Sequence, residues 1–209
     1  MNSGPDELIP TRASLLSRLR NWNDQQSWQR FFELYWKLIY NVARKAGLSD
    51  PEAQDVVQET IISVARHMPS FRYDPALGSF KGWLMQLTRW RIMDELRKKQ
   101  YESHGKRLPR EQALGSTVIE LNAGAHDFQL ETLWNEEWNQ HMLDTAMQKV
   151  KRQVSAAHFQ MFHLHVVKQL SAKDVAKRLQ VKAAEVYFAK YKVSRLVQKE
   201  IKLLENNLV

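Results

Sequence analysis

Residues 170–196 read LSAKDVAKRLQVKAAEVYFAKYKVSRL, and their punctuation decides the fold of the last third of the chain. Ser171 and Asp174 make an S-x-x-D start, with polar side chains placed to satisfy the free donors at the head of a helix. Val175, Ala176 and Leu179 follow at the spacing of one helical face, and small Ala176 lets the next helix approach closely. Val181 can plug a turn, and Val186 then points inward on a second helix. The outward positions there are Lys182, Glu185, Tyr187, Lys190, Tyr191, Lys192 and Arg195. This is a helix-turn-helix pattern, whose second helix enters the major groove with its first residues at base edges. Lys182, Glu185 and Tyr187 are therefore the expected readers of sequence, and Lys190, Lys192 and Arg195 the phosphate anchors. Gln180 stands where the turn commonly takes glycine at positive φ, a substitution costing about 1 kcal/mol. An αα-hairpin with basic solvent faces is the alternative for the same pattern.

Upstream, helical composition dominates and no β-branched alternation is long enough for a sheet, so the expected class is all-α. Helices are expected over about 12–20, 28–46, 50–67, 80–100, 128–153, 156–168, 172–179 and 183–206. On the second of these, Phe31, Phe32, Tyr35, Leu38, Ile39 and Val42 share one face, and Gly47 stops it. Ser49 or Asp50 caps the third, which has Pro51 in its first turn and the apolar set Val56, Val57, Ile61 and Val64. Ser79 caps the fourth. Residues 101–127 hold Gly105, Pro109, Gly115 and Gly124 with no apolar period and read as a flexible linker. The expected organisation is a mobile tail (1–11), a helical domain (12–100), the linker (101–127) and a helix-turn-helix domain (128–209).

Charge follows that division. The chain of 209 residues carries a net +8, with pI about 9.7. Residues 1–70 are neutral overall, whereas 71–110 hold ten cations against four acids. Residues 111–148 hold seven acids and no Lys or Arg, and 149–209 hold thirteen cations against four acids. Two basic blocks around an acidic one suit two nucleic-acid footprints joined by a segment that stays off the phosphates.

The first basic block contains FRYDPALGSFKGWLMQLTRWRIMDELRKK, Phe71–Lys99. Phe71, Tyr73, Phe80, Trp83 and Trp90 alternate with Arg72, Lys81, Arg89, Arg91, Arg97, Lys98 and Lys99. Cations neutralise phosphates while aromatic faces take unstacked bases, so the stretch suits an opened strand. A helix with a solvated basic face explains the charges alone equally well. Asp94 has Arg91, Arg97 and Lys98 within one turn and reads as their orienting partner, not as an acid catalyst. Asp55, Gln58 and Glu59 form a polar stripe at three- and four-residue spacing beside Val56 and Val57.

Several classes fall away. There are no cysteines, which excludes disulfides, thiolate metal sites and cysteine catalysis. No apolar run reaches the length of a membrane span, and the first ten residues lack a signal-peptide pattern, so a soluble, cytoplasmic protein is expected. His158, His163 and His165 form no i, i+4 pair and no H-E-x-x-H, so no metal is expected. No P-loop, G-x-S-x-G or G-x-G-x-x-G occurs, and neither a cofactor nor an enzymatic activity is expected.

Taken in order, these motifs resemble a sigma-70 family RNA polymerase sigma factor of the extracytoplasmic-function type. The resemblance covers about 28–99 and 133–205. DVVQET (Asp55–Thr60) resembles the family's D-x-x-Q-E segment, which implies that Asp55, Gln58 and Glu59 contact core RNA polymerase. FRYDPALGSF and KGWLMQLTRWRIMDELRK resemble the −10 recognition loop and melting helix. This implies −10 DNA contacts for Phe71, Arg72, Tyr73, Asp74, Arg89, Trp90, Met93 and Arg97. Trp90 stands where many such factors carry Asn, and its spacing from Trp83 and Leu87 also fits a core residue. The helix-turn-helix resembles the −35 reader. Core polymerase and promoter DNA are the implied partners, with an anti-sigma factor as a further candidate. A stand-alone helix-turn-helix regulator and a nucleic-acid enzyme are the alternatives. The first has no use for a polymerase-docking stripe, and the second needs a carboxylate cluster or nucleophile that the sequence does not offer.

Overall fold

A computed structural model of the protein describes residues 13–71, 79–103 and 123–206. Every regular element among them is helical: α1 (Ala13–Arg18), α2 (Gln25–Lys45), α3 (Asp50–His67), α4 (Phe80–Ser103), α5 (Ala123–Gln153), α6 (Ala156–Phe162), α7 (Ala172–Leu179) and α8 (Ala183–Asn206). The class is all-α, as the sequence implies. Two compact units divide the chain, one holding Pro10–Asn139 and the other Gln140–Asn207, with the boundary inside α5. The expected tail 1–11 and residues 104–122 of the expected linker lie outside the described residues.

In the first unit, local chemistry sets both ends of α2 and the starts of α3 and α4. Asp24 caps α2, its carboxylate accepting from the Ser27 N–H at 3.1 Å and the Ser27 hydroxyl at 2.8 Å. Those bonds, backbone first, together with the Arg18 guanidinium, hold the Asp24 carboxyl below its ordinary range. This cap starts α2 three residues before the expected Trp28. At the other end Gly47 sits at φ +94°, the Leu48 N–H reaching the Ala43 carbonyl and the Gly47 N–H that of Arg44. That pair of bonds closes the helix as a Schellman motif. The Ser49 N–H donates to the Glu52 carboxylate at 2.6 Å at the head of α3, and the Ser79 hydroxyl accepts from the Gly82 N–H at 3.1 Å at the head of α4.

The buried face of α2 is Phe31, Tyr35, Leu38, Ile39 and Val42. Phe32, expected on that face, is exposed and stacks on Trp36 with ring planes 14° apart. Phe31 takes the inward position there, its ring 5.0 Å from Tyr35 and 6.2 Å from Phe80. Ile61 of α3 is only half-buried, while Val56, Val57 and Val64 are buried. From α4, Phe80, Leu84, Leu87, Thr88 and Ile92 join the core. The first part of α5 adds Leu130, Trp134 and Trp138, with the Trp138 ring stacked 6.2 Å from that of Tyr35. Glu137 fixes this segment through Lys45 (2.6 Å) and Asn41 (2.9 Å).

The second unit packs Met161, Ala172, Val175, Val186 and Ala189 into one cluster, with Leu164, Leu170, Ala176, Leu179 and Val181 against it. The Ser171 hydroxyl accepts from the Asp174 N–H at 3.1 Å and donates to the Asp174 carboxylate at 2.6 Å. Gln180 adopts φ 55°, the left-handed corner that the turn demands. The helix expected over 156–168 is α-helical only to Phe162 and continues as a π turn, His163–Val167. The Lys168 N–H skips a residue to bond the His163 carbonyl at 2.9 Å, the wider ring of a π-helix. From the later part of α5, Lys149 and Gln153 hold the buried Glu200 of α8 at 2.7 and 3.1 Å.

Candidate polymerase and nucleic-acid interfaces

Burial of Val56 and Val57 against the first-unit core turns Asp55, Gln58 and Glu59 outward, and all three are exposed. The same helix supports α4 from behind. Both the Arg91 Nε and Nη2 groups donate to the Ser63 hydroxyl, at 3.2 and 2.8 Å.

On α4 the core positions leave the opposite stripe to Trp83, Gln86, Trp90, Met93 and Arg97. Trp90 is 57% exposed, so of its two readings the core one is not realised. Trp83 is half-buried instead, its ring 4.5 Å from Phe71 and 5.6 Å from Phe80. Arg89, Met93 and Arg97 are each half-buried beside Trp90. Asp94 bridges Arg97 at 2.8 Å and Arg91 at 3.5 Å, the orienting role the sequence suggested. Phe71 has its carbonyl bound by the Arg20 guanidinium at 2.6 Å. Arg72, Tyr73 and Asp74 lie outside the described residues.

Part of the basic run is engaged within the protein. Lys98 pairs with Glu95, whose carboxylate raises the ammonium pKa against a smaller opposing effect of burial. Lys99 lies 3.5 Å from Glu52 of α3, and Lys81 lies over the Trp138 ring at 5.6 Å. The Trp90 stripe sets a wide exposed indole beside guanidinium groups, that of Arg97 held by Asp94, an arrangement that suits base stacking beside a phosphate backbone.

In the second unit, Lys182 just before α8 and Glu185, Tyr187, Lys190, Tyr191, Lys192 and Arg195 on it are all exposed. Glu185 has a second task, because its carboxylate accepts from the Lys182 N–H at 3.2 Å and so caps the helix that carries it. Phe188 is exposed as well, next to the His158 ring at 5.8 Å. Sequence reasoning passed over it, along with Lys199 and Lys202, which share a groove with Tyr191, Lys192 and Arg195. The spacing of Lys199 four residues after Arg195, and of Lys202 three after Lys199, was the available signal. Among the described residues no group of His, Asp or Glu could hold a metal, and no helix is long and apolar enough to cross a membrane.

Residues 31–101 match the family model for Sigma-70 region 2, a span running from Phe31 of α2 through α3 to Tyr101 of α4. No curated protein matches the chain. The matched segment contains both the exposed acidic stripe of α3 and the Trp90 face of α4. It supports a sigma-70 family sigma factor and, with it, a part in transcription initiation.

Proposed function

We propose that the protein is a dissociable sigma factor of the extracytoplasmic-function type, which binds core RNA polymerase and directs it to promoters. The observation that carries this reading is the pairing, within the matched segment, of an exposed polar stripe, read as the polymerase-docking face, with an exposed aromatic and cationic face, read as the single-strand platform. Asp55, Gln58 and Glu59 form the first, and Trp90 with Arg89, Met93 and Arg97 forms the second. Unpaired −10 bases stack on the aromatic groups while guanidinium groups hold the strand, which favours the opened duplex over the closed one. Phe71, Arg72, Tyr73 and Asp74 provide stacking and hydrogen-bonding groups for bases extruded from the duplex.

The second unit reads the −35 element as duplex. Lys182, Glu185 and Tyr187 meet base edges around the start of α8, and Lys190, Lys192 and Arg195 hold the flanking backbone, with Tyr191 exposed beside them. Core polymerase and promoter DNA are the partners, and an anti-sigma factor is a candidate regulator. No covalent chemistry is assigned to the chain.

The test uses purified core polymerase. A Gln58→Ala, Glu59→Ala variant should lose affinity for core with its circular dichroism unchanged, because exposed polar side chains seldom matter to stability. An Arg89→Ala, Trp90→Ala variant should bind core normally and fail to give permanganate-reactive thymines in the −10 region. Retention of core affinity in the first variant would remove the docking assignment, and persistent melting in the second would remove the single-strand platform.

A further inference from the structure

His165 lies in the π turn that precedes α7, and its Nδ1 stands 2.8 Å from the Leu170 carbonyl oxygen. A carbonyl only accepts, so Nδ1 carries the proton and donates. The Leu170 N–H is tied back as well, to the Leu164 carbonyl at 3.1 Å. Between them Gln169 adopts φ 55°, a backbone state that a non-glycine residue keeps only where its surroundings enforce it. The corner leading into the helix-turn-helix is thus built around one imidazole.

The ring has a second neighbour. Tyr187 of α8 meets it edge-to-face, with centroids 5.8 Å apart and planes at 89°. His165 Nε2 is buried and has no hydrogen-bond partner, so that edge of the ring contributes packing and not a polar contact. Tyr187 itself is 57% exposed. An exposed tyrosine ordinarily moves among several rotamers, and a perpendicular ring against one side removes part of that freedom.

We infer that His165 is a positioning residue for duplex reading: the Leu170 carbonyl aims the imidazole, and the imidazole aims the Tyr187 phenol at a base edge. The inference rests on the reading of α8 as the −35 helix. It predicts that specificity at one base position depends on a side chain that never touches DNA.

A promoter library randomised across the −35 element, selected with full-length protein on core polymerase, provides the test. Tyr187→Ala should relax preference at one base position by roughly tenfold, the usual effect of one lost base contact. His165→Asn keeps a donor near the Leu170 carbonyl but has no ring, and should relax that same position while the others hold. Adding it to Tyr187→Ala should change nothing further. His165→Phe keeps a ring but loses the bond that aims it, and should relax that same position. It also decides the matter if the Asn variant does not fold: preference relaxed at that position alone supports the inference, and full preference overturns it. A folded Asn variant with full preference, or effects that multiply in the double variant, overturns the inference and leaves the reading of α8 standing. A Tyr187→Ala protein with every preference intact overturns the reader assignment and the inference with it.

Discussion

Replacing Trp138 by alanine should destabilise the first unit far more than a typical substitution on a connecting helix. The indole is 5% exposed, stacked on Tyr35 at 6.2 Å and next to Trp134 at 5.9 Å, with the Lys81 ammonium 5.6 Å from its ring. Removal of a buried tryptophan costs about 3–5 kcal/mol in lost transfer energy and residual cavity. The Lys81 contact accounts for about 0.5–1 kcal/mol of that, because it sits at a partly exposed edge. With about 4 kcal/mol lost and a urea slope of about 2 kcal/mol per molar, the unfolding midpoint should fall by about 2 M. Tryptophan fluorescence is the right probe, since all 7 tryptophans of the chain lie between Trp22 and Trp138, inside the first unit. The two units can unfold separately, and this signal follows only one of them. Trp138→Phe, which keeps a ring against Tyr35, should lose less than half as much. A shift below about 0.5 M for the alanine variant would refute the packing of α5 on Tyr35 and the inclusion of its first part in this unit.

Trp90→Ala should move stability by no more than about 0.5 kcal/mol, because the ring is exposed; promoter opening should nevertheless be lost, and a large fall in the urea midpoint would show the indole to be structural. Acid should weaken both units through buried carboxylates. Burial pushes the Glu137 carboxyl up, but Lys45 and Asn41 together outweigh it and the net displacement is downward; Glu200 is displaced the same way by Lys149 and Gln153. A lowered folded pKa contributes stability that is complete above the ordinary value near 4.5 and disappears as pH falls through the lower folded value. The fluorescence midpoint should therefore drop below about pH 4.5 and do so less steeply in Glu137→Gln, and identical acid profiles for that variant and the parent protein would contradict the assignment.

Much of the site was legible in the sequence because it is built from periodicity. The outward turn of Asp55, Gln58 and Glu59 follows from Val56 and Val57 facing in, and the exposed set on α8 follows from Val186 and Ala189. The role of Asp94 was equally readable, since Arg91 and Arg97 fall within one turn of it. Other features had no local signal. His165 touches Tyr187 across 22 positions of sequence, and Arg91 finds Ser63 across 28. The choice between core and solvent for Trp90 was open because both readings satisfy the same spacing.

What the sequence determined by itself is those helix ends that a local cap or stop marks. Ser171, Ser79 and Gly47 act within about four residues of their own positions, and Gln180 marks its corner because the chain must turn there. Such chemistry is complete within one turn and needs no distant partner. Only the tertiary structure decided which aromatic residues are spent on the core, with Phe31 and Trp83 packed and Phe32 and Trp90 turned out. It also decided that the first part of α5 packs with Tyr35 and Lys45, through Trp138 and Glu137. Burial is a property of what lies on the other side of a contact, and an amphipathic stripe names the face without naming the partner.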